Sequence, residues 1–583
     1  MDIGCWTLAI GQPGSTPERA RRDGDQKLKN SITDIVYSAV KMAASEGVVP
    51  QDELPIPIIE ITRDRKFGDY ATNIAMVLAS RVKENPRVIA EKLAEWIKKT
   101  DGGGMIHDIQ IAGPGFINLT MTEEFWAGTL KSVLTEGETY ADNNIGRGRK
   151  VQVEFVSANP TGPLHVGHGR GAALGDALAN VLAASGYDVS REYYVNDAGN
   201  QIDTLGRSVR ARYLELFGKE DQFPEEGYRG EYIRDIAMTL KEKRGDVYLD
   251  GNPESDTKEI AEYSAGVIMD DIKDDLEQFG ILFNHWFYES SLFDNGDVDL
   301  TLKDLEGRNH LYREEGALWF KSTPLGDDKD RVVIKADGSA TYFASDLAYH
   351  RNKFSRGFDK VINIWGADHH GYIERMKAGV VALGRDRDDL EVILVQLVNL
   401  LRGGKPVAMS TRAGEFVTLR EVLEEVGKDA ARFIFLTRKA DSKLDFDLDV
   451  AKARSNDNPV YYVQYAHARI CSILRNAEEN GFKLPSPEDV NIGALKLPEE
   501  KELIRHMAAL PDVIEGAAMA LEPHRLTNYL RDISTSLHNY YFHHRVLSDD
   551  PSLTEARLAL MVTVRTAIAK GLGLLGVSTP ERM

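Results

Sequence analysis

At 583 residues the chain exceeds what one hydrophobic core supports, and its 42% hydrophobic and 28% charged residues exclude the disordered and fibrous classes. No run of about 18 or more apolar residues occurs, so no membrane span is expected. The formal net charge of -20 excludes a protein that coats nucleic acid nonspecifically, because phosphate binding takes clustered Lys and Arg, but leaves room for a local basic face.

Residues 1–26 are rich in Gly, Pro, Arg and Asp, show no periodicity, and are expected to form a disordered tail. The short apolar patch near Cys5 lacks a preceding positive charge and is too brief for a secretory signal, so a cytoplasmic protein is expected. From Lys27 the pattern turns helical in KLKNSITDIVYSAVKMAASEG, then strand-like in PIPIIEIT and helix-rich in FGDYATNIAMVLASRVKENPRVIAEKLAEWIKK. IQIAGPGFINLTMT alternates apolar positions around a Gly-Pro-Gly turn, and residues 27–122 together read as a small α/β domain. RKVQVEFVSANPTGPLHVGHGRGAALGDALANVLAASGYDVSREYYVND then gives strand, Gly/Pro loop, Ala-rich helix and strand. That order is a βαβ unit; it implies parallel strands in a doubly wound sheet, with ligands at the C-terminal strand ends beside helix N-termini. Residues 123–449 are expected to form this domain, interrupted by acidic helical stretches from about 206 to 326 that read as an insertion. Strand signals return at RVVIKADGSATYFASDLAYH, VINIWGADHHG and LEVILVQLV. Residues 450–583 are amphipathic throughout and predict an α-helical bundle. The two cysteines, Cys5 and Cys471, lie far apart without metal-ligand spacing, which argues against a disulfide framework and a cysteine zinc site.

HVGH, His165 to His168, falls between a strand and a helix. A helix N-terminus offers unpaired N–H groups and a positive dipole to polyphosphate, imidazoles add donors, and Gly167 lets a nucleotide approach the backbone. In this setting HVGH resembles the ATP-binding signature of class I aminoacyl-tRNA synthetases, whose catalytic domain is a Rossmann-like doubly wound parallel sheet. The resemblance makes His165, Gly167 and His168 contacts of ATP. Read alone, the two histidines also fit helix caps, whereas a metal site lacks an obvious third ligand. AMSTRAGEF resembles the KMSKS loop of the same class, which closes over the triphosphate and would bring Met409 and Ser410 to it; a solvated Ser/Thr/Gly loop is the alternative. It departs from the pattern at Ala408 and Thr411, where the class carries lysines. Arg412 is the expected replacement, with Lys405 the other nearby cation and pairing to Glu415 the competing role for Arg412.

The resemblance narrows to arginyl-tRNA synthetases at two places. Glu154 ends a strand with Asn159 five residues on, and TYFASD sets Tyr342 and Asp346 four apart, on one face if helical. A guanidinium is planar, always charged and carries five donors, so its pocket calls for carboxylates. By the resemblance, Asp346 and Tyr342 hold an arginine guanidinium, while Asn159 and Glu154 orient the α-amino end. From the residues alone, Glu154 also fits a backbone-satisfied strand-end carboxylate and Asp346 a helix N-cap or surface acid. GADHHG looks like the family's adenosine- and substrate-lining loop, with Gly366, Asp368 and His369 toward ATP and His370 toward arginine; a structural role for the two histidines is equally open. DNPVYYVQYAHAR, EPHRLTNYLRDISTSLHNYYFHHRVL and LLGVSTPERM resemble the anticodon-binding bundle, implying tRNA contacts for Tyr465, Tyr541 and Met583, although both tyrosines also suit a bundle core. RKFGDYATNIA resembles the domain that reads the tRNA elbow and implies a contact at Asn73.

The resemblance runs from about Lys27 to Met583. It implies ATP-dependent activation of L-arginine and transfer to the 2′-hydroxyl at the 3′ end of tRNA(Arg), with activation requiring tRNA. Mg2+ is expected with ATP through phosphate oxygens, no protein-ligated structural metal is expected, and the protein is expected to be monomeric and away from membranes. Specificity for cysteine or glutamate is disfavoured by the Glu154, Asn159, Tyr342 and Asp346 set. A catalytically silent tRNA-binding paralogue is disfavoured by the retained HVGH.

Overall fold

The computed structural model describes residues 27–49, 54–62, 65–219, 221–407, 417–483 and 486–583, in two units. One unit takes in the chain up to Asn143 with Ala477–Ala509 and His544–Thr566; the other is Asn144–Asn476 with Leu510–His543 and Ala567–Met583. The tail expected at residues 1–26 lies outside the described residues.

The first unit contains α1 (Lys27–Ser45), β1 (Glu60–Ile61), β2 (Tyr70–Thr72), α2 (Ile74–Val82), α3 (Pro86–Asp101), β3 (Ile106–Ala112), β4 (Phe116–Met121) and α4 (Glu123–Glu136). Its sheet is antiparallel in the order β1-β2-β4-β3, and β3 and β4 form a hairpin around Gly113 and Gly115. Only two residues of PIPIIEIT become strand, because Pro55 and Pro57 have no N–H to give a ladder. Gly68 is required where it stands: its φ is +81°, and a Cβ would sit 2.7 Å from the Leu119 carbonyl oxygen. The neighbouring Asp69 accepts from Met121 N and Arg505 Nε, each at 2.8 Å.

The second unit is built on β5 (Lys150–Glu154), α5 (Val166–Ala184), β6 (Asp188–Val195), α6 (Asn200–Glu215), α7 (Glu231–Arg244), α8 (Pro253–Gln278) and β7 (His285–Tyr288). It continues through α9 (Ser290–Asp294), α10 (Asp297–Gly307), β8 (Leu311–Glu314), β9 (Ala317–Phe320), β10 (Arg331–Ile334), α11 (Tyr342–Ser355), β11 (Lys360–Gly366), α12 (Ile373–Ala382) and β12 (Leu390–Val395). The main sheet is parallel throughout, in the order β12-β11-β5-β6-β7. From β5 the chain crosses to β6 on one side, and from β11 to β12 on the other, so the crevice at the C-terminal ends of β5 and β11 is the topological switch point.

Three expectations are corrected here. The stretch from 206 to 326 is not wholly an insertion, since β7 lies within it and pairs in parallel with β6 from Glu192↔His285 to Val195↔Tyr288. A four-residue edge strand is too short to carry a readable alternation; only the helices α6 to α8 stand between β6 and β7. RVVI enters a separate antiparallel sheet, β10-β9-β8, and TYFASDLAYH is the helix α11. LEVILVQLV divides between β12 and β13 (Val398–Arg402), the latter joining β14 (Lys405–Pro406) and, in parallel, β15 (Leu444–Asp447).

Helices α13 (Leu419–Val426), α14 (Lys428–Phe435) and α15 (Leu448–Lys452) precede four long helices, α16 (Pro459–Glu479), α17 (Pro498–Ala520), α18 (His524–His543) and α19 (Pro551–Leu574). Arg432 on α14 is fully buried, pairs with Asp176 on α5, and donates to the carbonyls of Leu575 at 2.9 Å and Phe279 at 3.1 Å. Such a pair is costly to break from one side, because the remaining charge is left buried.

The crossing of α5 over β5 is close. A Cβ on Gly175 would sit 2.2 Å from the buried ring of Phe155, whereas one on Gly171 would meet nothing within 4 Å. Alanine in place of either gains about 1 kcal/mol of helix propensity. At Gly175 the overlap outweighs that gain, and Gly175→Ala is expected to destabilise by about 1–2 kcal/mol, while Gly171→Ala stabilises by up to about 1 kcal/mol. Thermal midpoints of the two variants moving in the same direction would contradict this packing.

Candidate active site

The loop after β5 leads into the N-terminus of α5, where His165 is the cap. The Nδ1 of His165 accepts from the backbone N–H of Gly167 at 3.1 Å and of His168 at 3.4 Å, and the Nδ1 of His168 accepts from His165 N at 3.2 Å. The two rings stack with centroids 3.7 Å apart. Since Nδ1 receives a hydrogen bond in both, the proton of each neutral imidazole is on Nε2, which makes both rings Nε2–H donors. Burial holds both rings below the ordinary histidine range, His168 at about 3 with the neighbouring His165 adding to the effect. His168 is therefore a neutral donor at any working pH, and burial biases His165 the same way. The capping role and the ligand-facing role are not alternatives, because capping uses only one nitrogen of each ring. Gly167 has a further reason to lack a side chain: a Cβ would stand 2.9 Å from Cε1 of His165.

At the other side of the crevice carboxylates gather. Asp346 sits one turn into α11, and burial pushes its carboxyl up to about 7, with Glu289 and Glu154 raising it further and Tyr372 and Lys353 partly offsetting them. Glu289, which follows β7 and is buried, is also raised by burial and by Asp197. The Tyr194 phenol is raised by burial and by Glu289 and Asp346. Carboxylates with raised protonation constants in one pocket mark a site that lacks, and would be stabilised by, a cation. Tyr372 donates its hydroxyl to Oδ2 of Asp346, fixing the carboxylate's orientation.

The expected pocket residues are distributed as follows. Tyr342 and Asp346 do share a face of α11, but Tyr342 is 62% exposed and the tyrosine bonded to Asp346 is Tyr372. Glu154 is engaged rather than open: Lys353, fully buried, pairs with one oxygen and Ser157 Oγ donates to the other at 3.0 Å. Lys353 also donates to Asn363 at 2.9 Å, tying α11 to β11. Asn159 gives its amide to Gln201 at 2.6 Å. Gly366 ends β11 and begins a short 3-10 turn carrying Asp368, His369 and His370, all exposed, with His369 Nε2 3.5 Å from Asp368. Met409, Ser410 and Arg412 lie outside the described residues; Lys405 is exposed on β14. Sequence reasoning missed Glu289 and Tyr372. Glu289 follows the strand hidden in the presumed insertion, and Tyr372 stands just past the GADHHG pattern.

Among the remaining candidates, Asn73 is exposed at the start of α2. Tyr465 and Tyr541 are brought together by Arg469, whose guanidinium lies 4.6 Å from one ring centre and 4.9 Å from the other. Arg469 also bonds His538 at 2.8 Å. The C-terminal segment bearing the exposed Met583 is held along α16 by Gln464 to Ser578 and His467 to Pro580, each at 3.0 Å. Among the described residues no three or more His, Cys, Asp or Glu are grouped to hold a metal ion, and no helix is long and apolar enough to cross a membrane.

Three family models match the chain: the class I (R) tRNA synthetase catalytic domain over residues 129–449, the arginyl tRNA synthetase N-terminal domain over 26–121, and the DALR anticodon binding domain over 463–583. An arginine--tRNA ligase of Citrifermentans bemidjiense is 49% identical over 557 residues, covering 95% of this chain and 100% of the relative. One of Syntrophotalea carbinolica is 50% identical over 556 residues with the same coverage of each. The solved arginyl-tRNA synthetase of Thermus thermophilus aligns with a TM-score of 0.73 over 94% of this chain and 100% of that one; at 22% identity this shows a common fold.

The acid pocket predicts proton linkage. Asp346 titrates near 7 in the free protein, and a bound guanidinium would lower that value, so binding releases a proton wherever Asp346 starts protonated. Affinity for a guanidinium ligand is expected to rise by up to about tenfold per pH unit below 7 and to level off above it. For stability the sign is opposite: the raised folded value means Asp346 favours the ligand-free fold at low pH, and this contribution is lost as pH rises through about 7. Calorimetric titration between about pH 5.5 and 8 reads the first effect, and a flat affinity across that window would contradict it.

Proposed function

The chain belongs to the arginine--tRNA ligase family of class I aminoacyl-tRNA synthetases, and from that premise we propose how its own residues activate L-arginine with ATP and pass it to tRNA(Arg). The observation that carries this reading is the pocket of Asp346 and Glu289, whose raised carboxyls call for a permanent cation. A guanidinium supplies it with a planar fork of donors, and a lysine ammonium does so less well because it offers one point charge. Tyr372 presets Asp346, Asn159 lies on the loop beside the nucleotide end and takes the α-amino group, and Glu154 acts through Lys353 on the placement of α11.

The arginine carboxylate oxygen attacks the α-phosphorus of ATP, forming the mixed anhydride as the bond to pyrophosphate breaks. The Nε2–H groups of His165 and His168 then meet phosphate oxygens as charge builds, without any protonation change. The acyl group subsequently passes to the 2′-hydroxyl of the terminal adenosine, releasing AMP. Little covalent chemistry falls to the protein; positioning and fixed donors supply the acceleration. Magnesium would come with ATP on its phosphate oxygens and would neutralise part of their charge. Gly366, Asp368 and His369 line the adenosine side and His370 the amino-acid side of this reading, with Met409, Ser410 and Arg412 closing over the triphosphate. Residues 27–122 take the tRNA elbow through Asn73, residues 123–449 carry the chemistry, and residues 450–583 take the anticodon. There Tyr465 and Tyr541, flanking Arg469, and Met583 offer stacking surfaces to unpaired bases. A cytoplasmic monomer completes the proposal.

Two variants test it in pyrophosphate exchange with tRNA present. Asp346→Asn loses a charge-assisted pair, on the order of 2 to 4 kcal/mol, so the arginine KM should rise by roughly 30- to 1,000-fold with the ATP KM little changed. His168→Ala removes a transition-state donor and should lower kcat by about two to three decades while tRNA affinity stays near that of the unmodified protein. Normal arginine kinetics in the first, or normal activation with poor tRNA binding in the second, would place the chemistry elsewhere.

A further inference from the structure

The helices inserted between β6 and β7 touch the nucleotide loop at two points. Tyr232, on the first turn of α7, donates its hydroxyl to the carbonyl of Thr161 at 2.7 Å, and Gln201 on α6 accepts from Asn159 at 2.6 Å. Gly162 lies directly under the phenol: a Cβ there would stand 3.1 Å from the Tyr232 oxygen and 3.4 Å from Cζ. Only Gly162, Pro163 and Leu164 separate Thr161 from His165. The far end of this strap is held independently, because Leu419 N donates to Leu164 O at 2.7 Å and His165 bridges to Thr418. Proline at 163 fixes φ within this three-residue strap, which limits how much of a displacement at Thr161 it can absorb before Leu164 and His165. The α6–α7 connection is itself secured, with Tyr228 N donating to Ser208 Oγ at 3.0 Å.

We infer that Tyr232 is a positioning residue for the activation step, holding Thr161 so that the stacked His165 and His168 meet the triphosphate and thereby coupling the inserted helices to the nucleotide site. The inference rests on HVGH being the ATP site. Tyr232 exchanges no proton and touches no reacting atom in this role; its phenol fastens the strap. The guanidinium pocket is built on α11 and the end of β7, and Asn159 has its own hold through Gln201, so the effect of Tyr232 falls on ATP rather than on arginine.

The test compares the intact protein with Tyr232→Phe, Gly162→Ala and the double variant in arginine-dependent pyrophosphate exchange with tRNA present. Tyr232→Phe should lower kcat/KM for ATP by about three- to tenfold, the effect of one lost hydrogen bond, with the arginine KM unchanged and a thermal midpoint within a few degrees. Gly162→Ala, whose methyl displaces the hydroxyl, should cause a similar loss, and the double variant should be no worse than the more impaired single one. Unchanged ATP kinetics in Tyr232→Phe, an equal rise in the arginine KM, or fully additive losses would overturn the inference. If the unmodified chain shows no arginine-dependent exchange, the functional reading fails instead, and ATP affinity by equilibrium dialysis decides the matter: weaker ATP binding by Tyr232→Phe upholds the strap, and equal binding overturns it.

Discussion

Carboxylates withdrawn from water beside one another are unstable as anions unless a cation joins them, and the amino-acid end of this molecule is arranged around that constraint. Asp346 and Glu289 come from distant parts of the chain, α11 and the end of β7, and come within electrostatic reach of each other. The fold supplies some compensation in place, with Lys353 on Glu154 and Arg356 with Lys353 on Glu192. To Glu289 it supplies only the hydroxyls of Ser345 and Tyr194, and to Asp346 the phenol of Tyr372 with the more distant charge of Lys353, so both carboxyls stay raised. The uncompensated remainder is what a ligand brings. In the proposed reading fold and specificity are linked: the fold brings acids together, and the charge of the arginine ligand would complete the local structure.

The nucleotide end follows the opposite principle. There the helix N-terminus already provides positive potential, and burial keeps His168 neutral and disfavours the charged form of His165. With Nδ1 accepting from the backbone and the proton on Nε2, each imidazole closes the first turn of α5 and presents a fixed dipole. A donor locked in this way costs no reorganisation when charge develops. The same geometry explains the spacing of HVGH. Capping in both directions needs residues three apart, and stacking His165 over residue 167 leaves room only for glycine there.

Much of this was legible in the sequence because the informative elements are local. The βαβ order around HVGH fixes parallel strands, a Gly/Pro loop and a helix N-terminus within about fifty residues, and Tyr342 with Asp346 falls on one helix face by spacing alone. What escaped depends on pairing between distant segments. Glu289 was hidden because β7 is four residues long and lies at the sheet edge after a run of acidic helices. The Glu154–Lys353 pair joins residues on β5 and α11, and no periodicity announces it. The resemblance sets Tyr342 beside Asp346 at a guanidinium, but the tyrosine that bonds Asp346 itself is Tyr372, which reaches it from the turn after β11. Local pattern gives elements and their faces; which side chains close a buried charge is decided by tertiary approach.

The claim at the centre of this account is that a buried acidic pocket selects a guanidinium. Exchange of pyrophosphate into ATP, measured with tRNA present and with arginine, citrulline and lysine supplied in turn, tests it most directly. Citrulline has nearly the shape of arginine without its charge, and lysine has the charge without the planar fork. The account predicts vigorous exchange with arginine, and loss of several orders of magnitude with both analogues. Exchange with citrulline approaching that with arginine would contradict it, because the pocket would then be reading shape rather than the cation that its carboxylates require.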